Sequence, residues 1–518
     1  MMNQTILTLT LVGLLVAGPV LGQITPADPV CLSTQSVDVD PRRSLFVTEL
    51  DVLEQALSLE DVMTALADDV GNPNWGPLTM WKQLWDTQNR ESDHDLGLGP
   101  NCDDRVNSDG EEVINDFPIQ CPRNEGIEVR FDPFDSTLDS FYKPIALVNR
   151  MDLAPIDGAN CGEHRVVFAR SGGSRNLIIF EAVLPNPDPG CGLEGCRKVA
   201  RFWASLSRID DPARRARALR HFYLRGFPSR GIEPVIRAAH FGPGAGQLRT
   251  NQFMSGSEDQ TWQLREFKLV QVCPIIGDCF PQFVPVTDKH NPSGELFGSN
   301  SSDPRAIPFK RHYLTQVRNL AKPDINSFFA AAPDRFNAGQ SNAQGIENDY
   351  PLHFGSSPRF ERTLARQLRW LGSPLTPDHL VRRSMALSCA GCHQLNNNPP
   401  ANDLGEGVVW PASLGFVHVS EFQTEVINGS EQFVISPALE DVFIPHRERV
   451  FEDYLNDECD ECETALSDRF DPPPPPVIML EDGDHLEDVL TSDSVGALDS
   501  ELKSGLPADS LGGVRTVH

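Results

Sequence analysis

Two thiols and an imidazole stand close together in the chain, in the order Cys389-Ala390-Gly391-Cys392-His393. Two thiols at this spacing can add across the two vinyl groups of a porphyrin, and the imidazole that follows can then reach the porphyrin's iron. The small residues between the cysteines let the backbone approach the ring. The pattern predicts a covalently bound haem c with its iron, attached at Cys389 and Cys392, with His393 as the proximal iron ligand.

A second iron ligand would have to come from elsewhere in the chain. His418 lies in the apolar stretch 408–419, and we predict it as the candidate distal iron ligand. His446 and Met479 are further candidates, and an open or water-bound sixth position is another.

Other uses of the same cysteine pair stay open. A thioredoxin-like dithiol needs its first cysteine at the start of a helix, where the helix dipole lowers the thiol pKa, whereas here a helix is predicted before Cys389. A zinc site could combine Cys389 and Cys392 with Cys459 and Cys462, although acidic residues lie between the latter two. A plain disulfide between Cys389 and Cys392 is the third alternative.

The elements that must position the motif are predicted on both sides of it. Thr376 followed by Pro377 and an acidic residue is typical of a helix start, and the apolar spacing continues to Leu387. The chain then enters an Asn/Pro loop. In the stretch 408–419, an extended conformation would place Phe416 and His418 on one face. A final helix is predicted within 437–455.

Upstream, the periodicity predicts both strands and helices. Strands are expected at 128–131, 164–169, 176–183, 247–253 and 261–272. The second and third are predicted as neighbours in a sheet, and the last two as an antiparallel pair with one face in water. Helices are expected at 51–69, 79–90, 196–223, 309–320 and 360–371. The fold class is therefore α+β, a large mixed antiparallel-sheet and helix region followed by a mainly helical c-type haem segment.

The predicted domain organisation has four parts. Residues 1–22 are read as a signal peptide, because the apolar run 6–17 is too short to span a bilayer and a small residue precedes the expected cleavage site. Residues 23–375 form an α+β region of unknown role, 376–470 the cytochrome c-like haem segment, and 471–518 a Pro-rich linker and acidic tail. This organisation predicts a periplasmic or secreted protein.

The charge of the chain limits its partners. The formal net charge is −29, which argues against nucleic acid and against an anionic membrane surface. It suits a redox partner protein with a basic surface. No stretch of the mature chain is long and apolar enough for a membrane span.

The cysteines outside the motif number ten of the 12 in the chain, which suggests disulfides in an oxidising compartment. Short separations suggest the pairs Cys191/Cys196, Cys273/Cys279 and Cys459/Cys462, with a possible Cys102–Cys121 loop. Cys31 and Cys161 have no obvious local partner.

On Cys389, Cys392 and His393, the segment from 377 to 455 resembles the haem-binding part of c-type cytochromes. Small members of that family use a downstream methionine as the sixth ligand, and here the one methionine after His393 is Met479. The whole chain looks like large exported bacterial proteins with a single haem and uncharacterised roles, through the stretches 148–154 and 161–164.

The resemblance implies electron transfer or haem-based redox chemistry, with a peroxidase-like reaction as the enzymatic variant. The alternative is a secreted ligand-binding or structural protein in which Cys389 and Cys392 form a disulfide or zinc site.

Overall fold

The computed structural model describes residues 39–90, 100–256, 260–274, 278–299, 301–456 and 477–480. A large, mainly antiparallel sheet lies among helices, so the predicted α+β class is confirmed. The predicted signal peptide, most of the Pro-rich linker and tail, and Cys31, Cys459 and Cys462 lie outside these residues. No helix in the described ranges has both the length and the apolar character needed to cross a bilayer.

Strands β1 to β13 are, in chain order, Phe46–Val47, Val113–Ile114, Phe117–Pro118, Tyr142–Arg150, Asn160–Arg170, Arg175–Pro185, Gln247–Phe253, Gln263–Pro274, Phe280–Val286, Ser341–Asn342, Val419–Ile427, Ser430–Ile435 and Val477–Leu480. The main sheet has the order β1-β4-β5-β6-β7-β8-β10, and β9 and β13 also pair with β8. Strands β4 to β8 are consecutive antiparallel neighbours, which confirms the predicted pairing of β5 with β6 and of β7 with β8.

Helices α1 to α11 are Pro41–Ser44, Leu50–Ala56, Leu59–Val70, Pro77–Asp86, Arg197–Leu206, Pro212–Leu224, Ala306–Leu320, Tyr350–Phe354, Pro358–Trp370, Pro377–Ala386 and Ile444–Asn456. The single helices predicted at 51–69 and 196–223 are each two helices. Ser58 caps α3 in a reciprocal pair with Asp61, and Asp211 caps α6 before Pro212. These capping groups hold the backbone amides of a new helix start, which interrupts the apolar periodicity.

Two predictions for the sheet are wrong. Residues 128–131 are not a strand, because Asn124–Arg130 forms a 3-10 helix whose Glu128 carbonyl accepts a hydrogen bond from Trp81 Nε1 at 3.2 Å. Strand β8 does not have one face exposed to water as predicted, since Arg265 and Glu266 are as buried as Leu264 and Phe267. Its charged side chains are compensated inside the protein rather than by water.

The main sheet buries both of its faces. One face packs on helices α4 and α5, where Tyr142 contacts Trp81 and His164 stacks on Trp203 with 4.7 and 5.9 Å between ring centroids. A second core lies among helices α7 to α10 and includes Phe309, Tyr313, Leu364, Leu380 and Val381. Helix α10 therefore packs in this second, helical core, beside the other face of the sheet.

Three disulfides join described cysteines: Cys102–Cys121, Cys161–Cys196 and Cys273–Cys279. The first and third confirm the predicted pairs. The Cys191/Cys196 pair is wrong, because folding brings the start of β5 to the start of α5 and leaves Cys161 and Cys196 with Cα atoms 5.4 Å apart. Cys191 is disulfide-bonded elsewhere.

Candidate cofactor site

Helix α10 begins as the sequence predicts and leads directly to the motif. The Thr376 hydroxyl accepts a hydrogen bond from the His379 amide at 3.2 Å, and His379 Nδ1 accepts one from the Thr376 amide at 3.2 Å. Pro377 occupies the first helical position. The helix ends at Ala386, two residues before Ser388. Its start is thus fixed by local chemistry.

A buried arginine fixes the other end of α10. Arg383 donates to the carbonyl oxygens of Leu404, Leu320 and Lys322 at 2.7 to 2.8 Å, and its guanidinium lies 4.2 Å from the ring centroid of Phe328. These contacts join the helix to the loop after the motif and to the end of α7. They hold the segment that carries the cysteines in one orientation.

The motif itself is a tight turn that requires its small residues. Residues Gly391–Leu395 form a π-helical turn, and a Cβ on Gly391 would lie 1.7 Å from the Met385 carbonyl oxygen. Ala390 is fully buried, and its amide donates to Ser341 Oγ at 2.9 Å. The small side chains therefore allow close packing of the turn on its own chain.

A cavity of about 1050 Å³, counted with its open mouth, lies between this turn and the sheet. Both thiols, His393 and His418 line it. Tertiary structure thus brings all four predicted site residues together.

We define the cavity floor as the residues of strands β4 to β8 that line the cavity. They lie on one face of the main sheet. Alternate residues of β4 to β8 point to it, and the register aligns them in rows such as Val148–Arg165–Glu181, Val167–Ile179–Arg249 and Leu177–Asn251–Leu264. The cavity roof consists of the lining residues from 387 to 447, with apolar members Leu387, Val417, Val419, Leu439 and Phe443. Both predicted segments, 23–375 and 376–470, therefore contribute walls.

Cys389 and Cys392 are not disulfide-bonded in the structure. Burial raises the pKa of Cys392 to about 12 and that of Cys389 well above its ordinary value. A redox dithiol of the thioredoxin type needs the opposite shift, because its reactivity depends on the thiolate. The pair instead presents two protonated thiols to the cavity.

Hydrogen bonding fixes the tautomer of His393. Its Nδ1 lies 2.8 Å from the Phe416 carbonyl oxygen, which can only accept, so Nδ1 carries the proton and Nε2 carries the lone pair. Burial lowers the pKa of His393 to about 4, which keeps the ring neutral near pH 7. Trp262 stacks on the ring at 5.4 Å between centroids. A neutral imidazole oriented in this way is prepared to bind a metal.

His418 lies next to His393, with 4.7 Å between ring centroids. Its Nδ1 is 2.8 Å from Ser436 Oγ, and its Nε2 is 3.3 Å from Cys392 Sγ. The predicted shared face of Phe416 and His418 is wrong, because Phe416 has φ +69° and its ring packs on Phe253. The backbone turns there so that the Phe416 carbonyl can reach His393.

The other candidate ligands lie elsewhere. His446 is half-buried on α11 and is not among the residues that line the cavity. Met479 pairs with Cys273 on β8, about nine positions from Leu264 on the cavity floor, or roughly 30 Å along a strand. The sixth-ligand prediction therefore rests on His418.

The sequence did not reveal the arginines of the cavity. Arg150, Arg165, Arg249 and Arg447 line it together with Lys289 and the apolar floor. For the three strand arginines the sequence signal is the alternation of charged and apolar residues, which does not tell which face meets the motif, and Arg447 lies on helix α11.

Comparison with known proteins identifies no relative of this chain. No protein family, curated protein or solved structure matches the chain. The residues in the described ranges also contain no group of three or more His, Cys, Asp or Glu side chains arranged to hold a metal ion. The zinc alternative depends on Cys459 and Cys462, which lie outside those ranges.

The site nevertheless has the chemistry that a c-type haem requires. It offers two protonated thiols, an oriented neutral imidazole and a cavity with apolar walls. The residues present thus fit the group that the motif predicts.

Proposed function

We propose that this chain is an exported c-type haem protein that transfers electrons or performs haem-based redox chemistry. Cys389 and Cys392 would hold the haem through thioether bonds, and His393 would be its proximal iron ligand. The observation that carries the proposal is that both thiols and His393, whose ring proton lies on Nδ1, line one cavity that also has apolar floor and roof residues. Haem bound there would supply one-electron redox chemistry.

The residues around the cavity would give the iron a defined environment. The Phe416 carbonyl holds the His393 ring and increases its basicity as a ligand through the Nδ1 hydrogen bond. Apolar residues of the floor and roof exclude water, and exclusion of water tunes a haem's potential. His418, beside His393, would be the distal ligand. Two histidine ligands favour electron transfer over peroxidase-like chemistry, because no position on the iron stays open.

The proposed location is the periplasm or the outside of the cell. Three disulfides between described cysteines support an oxidising compartment, and covalent haem attachment in bacteria takes place there. With a net charge of −29, the chain would meet a redox partner protein that carries a basic surface.

The test is export of the full chain in a host that matures c-type cytochromes, followed by a haem-stained denaturing gel and reduced-minus-oxidised spectra. We expect covalent haem in the wild type and none in Cys389→Ala/Cys392→Ala. The matched control is Cys273→Ala/Cys279→Ala, which removes two sulfurs outside the cavity lining and should retain the haem. A folded, exported wild-type protein without haem would contradict the proposal and leave the secreted binding protein as the alternative.

A further inference from the structure

Cys191 forms a disulfide whose partner lies outside the described ranges. Of the 12 cysteines of the chain, six pair among themselves in the three described bonds, and the two motif cysteines are free. Cys191 is itself bonded, so its possible partners are Cys31, Cys459 and Cys462. Either Cys191 bonds Cys31 and the last two bond each other, or Cys191 bonds one of the last two.

The C-terminal turn of α11 lies at the start of α5. Tyr454 Oη donates to the Met151 carbonyl oxygen at 3.1 Å. A Cβ on Gly162 would lie 2.9 Å from Met151 Cα, so the backbone at Gly162 lies against the same residue. The neighbouring Cys161 bonds Cys196, the last residue before α5. These contacts connect the end of one helix to the beginning of the other.

The chain after α11 is long enough to meet Cys191. Helix α11 packs on α5 and on the 3-10 helix Pro189–Cys196, which contains Cys191. Cys459 is three residues beyond Asn456, the last residue of α11, and Cys462 is six residues beyond it. An extended chain spans at most about 3.6 Å per residue, so the two cysteines reach about 11 and about 22 Å from the helix end. Both distances suffice without a movement of α11.

Cys31 approaches from the opposite end of α5. The Asp40 amide donates to Ser207 Oγ at 2.9 Å, and Ser207 directly follows the last residue of α5. The ten residues of α5 span about 15 Å at 1.5 Å per residue. A bond from Cys31 to Cys191 would have to cross that length, whereas the chain after α11 begins at the required end.

The surface around the start of α5 is basic. Four exposed cationic side chains lie there, which we call the basic surface: Lys198, Arg201, Arg225 and Arg230. Lys198 pairs with Asp188 at 2.6 Å. Among the carboxylates that the structure describes, none forms an ion pair with the three arginines. The acidic residues between 197 and 230 are Asp210 and Asp211, in the turn between α5 and α6.

Helix α6 and the chain after it complete the basic surface. The ring centroids of Phe222 on α6 and Phe202 on α5 are 4.3 Å apart. Arg230 is followed by Gly231, on which a Cβ would lie 3.4 Å from Pro187 Cβ. Pro187 is two residues before the 3-10 helix that holds the bonded cysteine. The arginines after α6 therefore lie close to that cysteine.

The segment that follows α11 carries the opposite charge. Its carboxylates within 457–463 are Asp457, Glu458, Asp460, Glu461 and Glu463. Carboxylates match guanidinium groups in plane and spacing, and their attraction acts over the Debye length of about 8 Å at physiological salt. The same seven residues thus supply a thiol for Cys191 and the negative charge that the basic surface lacks.

We propose that residues 457–463 dock on the basic surface and are fixed there by a disulfide to Cys191. The bond uses Cys459 or Cys462, and the other of the two bonds Cys31. Each bond joins two sulfurs and passes two electrons and two protons from the thiols to a disulfide oxidant, whose own S–S bond opens. The attachment ties α11, which contributes to the cavity roof, to the helix layer on the opposite face of the sheet.

The first measurement maps the disulfides of the full exported chain. Free thiols are alkylated, the unreduced protein is digested with trypsin and a Glu-specific protease, and linked fragments are identified by mass spectrometry. Cleavage after Glu194 separates Cys191 from Cys196, so their two bonds are resolved. We expect Cys191 to be linked to a fragment from within 450–469. A link to Cys31 overturns the proposal.

The second measurement tests the docking by modification of arginines in the native full chain with phenylglyoxal. Arg359 and Arg362 on α9 are the matched controls, because they are as exposed as Arg201 and Arg230. We expect Arg201 and Arg230 to react several-fold more slowly than the controls at low salt. At about 1 M salt, where the Debye length is about 3 Å, the rates should approach each other.

A full-chain variant in which the five carboxylates of 457–463 become amides removes the charge and keeps both cysteines of the segment. We expect Arg201 to react as fast in this variant as the α9 controls. Equal reaction of Arg201 and the controls in the wild type overturns the docking, and so does protection that the amide variant retains at full strength. Neither measurement involves haem, so failure of the proposed function leaves both results unchanged.

Discussion

A neutral imidazole binds iron through one ring nitrogen, and the partner of the other nitrogen decides which. His393 and His418 both have Nδ1 engaged, by the Phe416 carbonyl and by Ser436 Oγ respectively. Only for His393 does the partner fix the tautomer, because a carbonyl cannot donate whereas a hydroxyl can do both. The hydrogen bond at Nδ1 therefore fixes the tautomer of His393, whereas the hydrogen bond to Ser436 does not by itself fix that of His418.

Removal of His418 should change the iron without removing the haem. In His418→Ala we expect full covalent attachment, because the thiols and His393 remain, and an altered absorbance spectrum with new binding of added imidazole or cyanide. Spectra of the oxidised and reduced protein measure this. His446→Ala is the control, since that histidine lies outside the cavity lining. A spectrum identical to that of the wild type would exclude His418 as the distal ligand.

His164 should make stability depend on pH. It is fully buried and accepts a hydrogen bond from Trp203 Nε1 at 3.1 Å, and burial lowers its pKa to about 3. In the unfolded chain its pKa is about 6.5. Between these values only the unfolded state takes up the proton, so stability falls as pH decreases from about 6.5 towards 3.

Because of His164, we expect the free energy of unfolding to fall by roughly 3 kcal/mol when the pH is lowered from 7 to 4.5. His164→Gln keeps an acceptor for Trp203 but does not titrate, so its unfolding free energy should lose that part of the pH dependence. Urea unfolding of both proteins at the two pH values measures the difference. Equal pH dependence would mean that His164 is protonated in the folded state.

At the level of single elements, α10 and the turn after it form one unit. The Thr376 cap begins the helix, Arg383 joins it to the chain on either side, and Gly391 lets the turn close on the Met385 carbonyl. Each contact limits where the two thiols can lie. The precision of the site thus depends on backbone packing upstream of the cysteines.

The Cys161–Cys196 disulfide joins β5, which contributes Arg165 and Val167 to the cavity floor, to α5. Its sequence separation is 35 residues, against 6 for Cys273–Cys279. Because the entropy lost by the unfolded chain grows with loop length, the expected stabilisations are about 4 and about 2 kcal/mol.

Cys161→Ala/Cys196→Ala should therefore lose more unfolding free energy than Cys273→Ala/Cys279→Ala, and urea unfolding of the two double variants compares them directly. Both variants lose two sulfurs, so the second serves as the matched control. An equal loss in both would show that loop length does not decide the contribution of these bonds.

At the scale of the whole molecule, the cavity exists only because distant parts of the chain meet. The floor comes from strands between residues 148 and 264, and the roof comes from residues 387 to 447. Roof residues Val417, Val419, Leu439 and Phe443 belong to the same core as the sheet. A role for part of the large N-terminal region follows, because it forms half of the proposed haem pocket.

A fragment of residues 376–470 should not fold by itself. Without the floor, several large roof side chains lose their burial, at about 1.5–3 kcal/mol each, and the sum is comparable with a whole domain's stability of about 5–15 kcal/mol. We expect no cooperative urea transition by circular dichroism and no protection from proteolysis, in contrast to the full chain. A fragment that folds and attaches haem would show instead that the segment is an independent domain.

The amino-acid sequence by itself determined the features that depend on local chemistry. The motif, the cap of α10, the paired strands β5 to β8 and the α+β class follow from residue types and from their spacing along the chain. Side-chain period, capping and short disulfide loops act over a few residues, so they can be predicted without knowledge of distant contacts.

Only the tertiary structure decided what surrounds the motif. The Cys161–Cys196 bond, the burial of both faces of β8, the left-handed turn at Phe416 and the convergence of Arg150, Arg249 and Arg447 all depend on segments far apart in sequence. The physical reason is that strand alternation divides residues between two faces but does not tell which face meets which partner. That choice is made by the burial of the whole sheet between two layers, and it places the arginines beside the thiols.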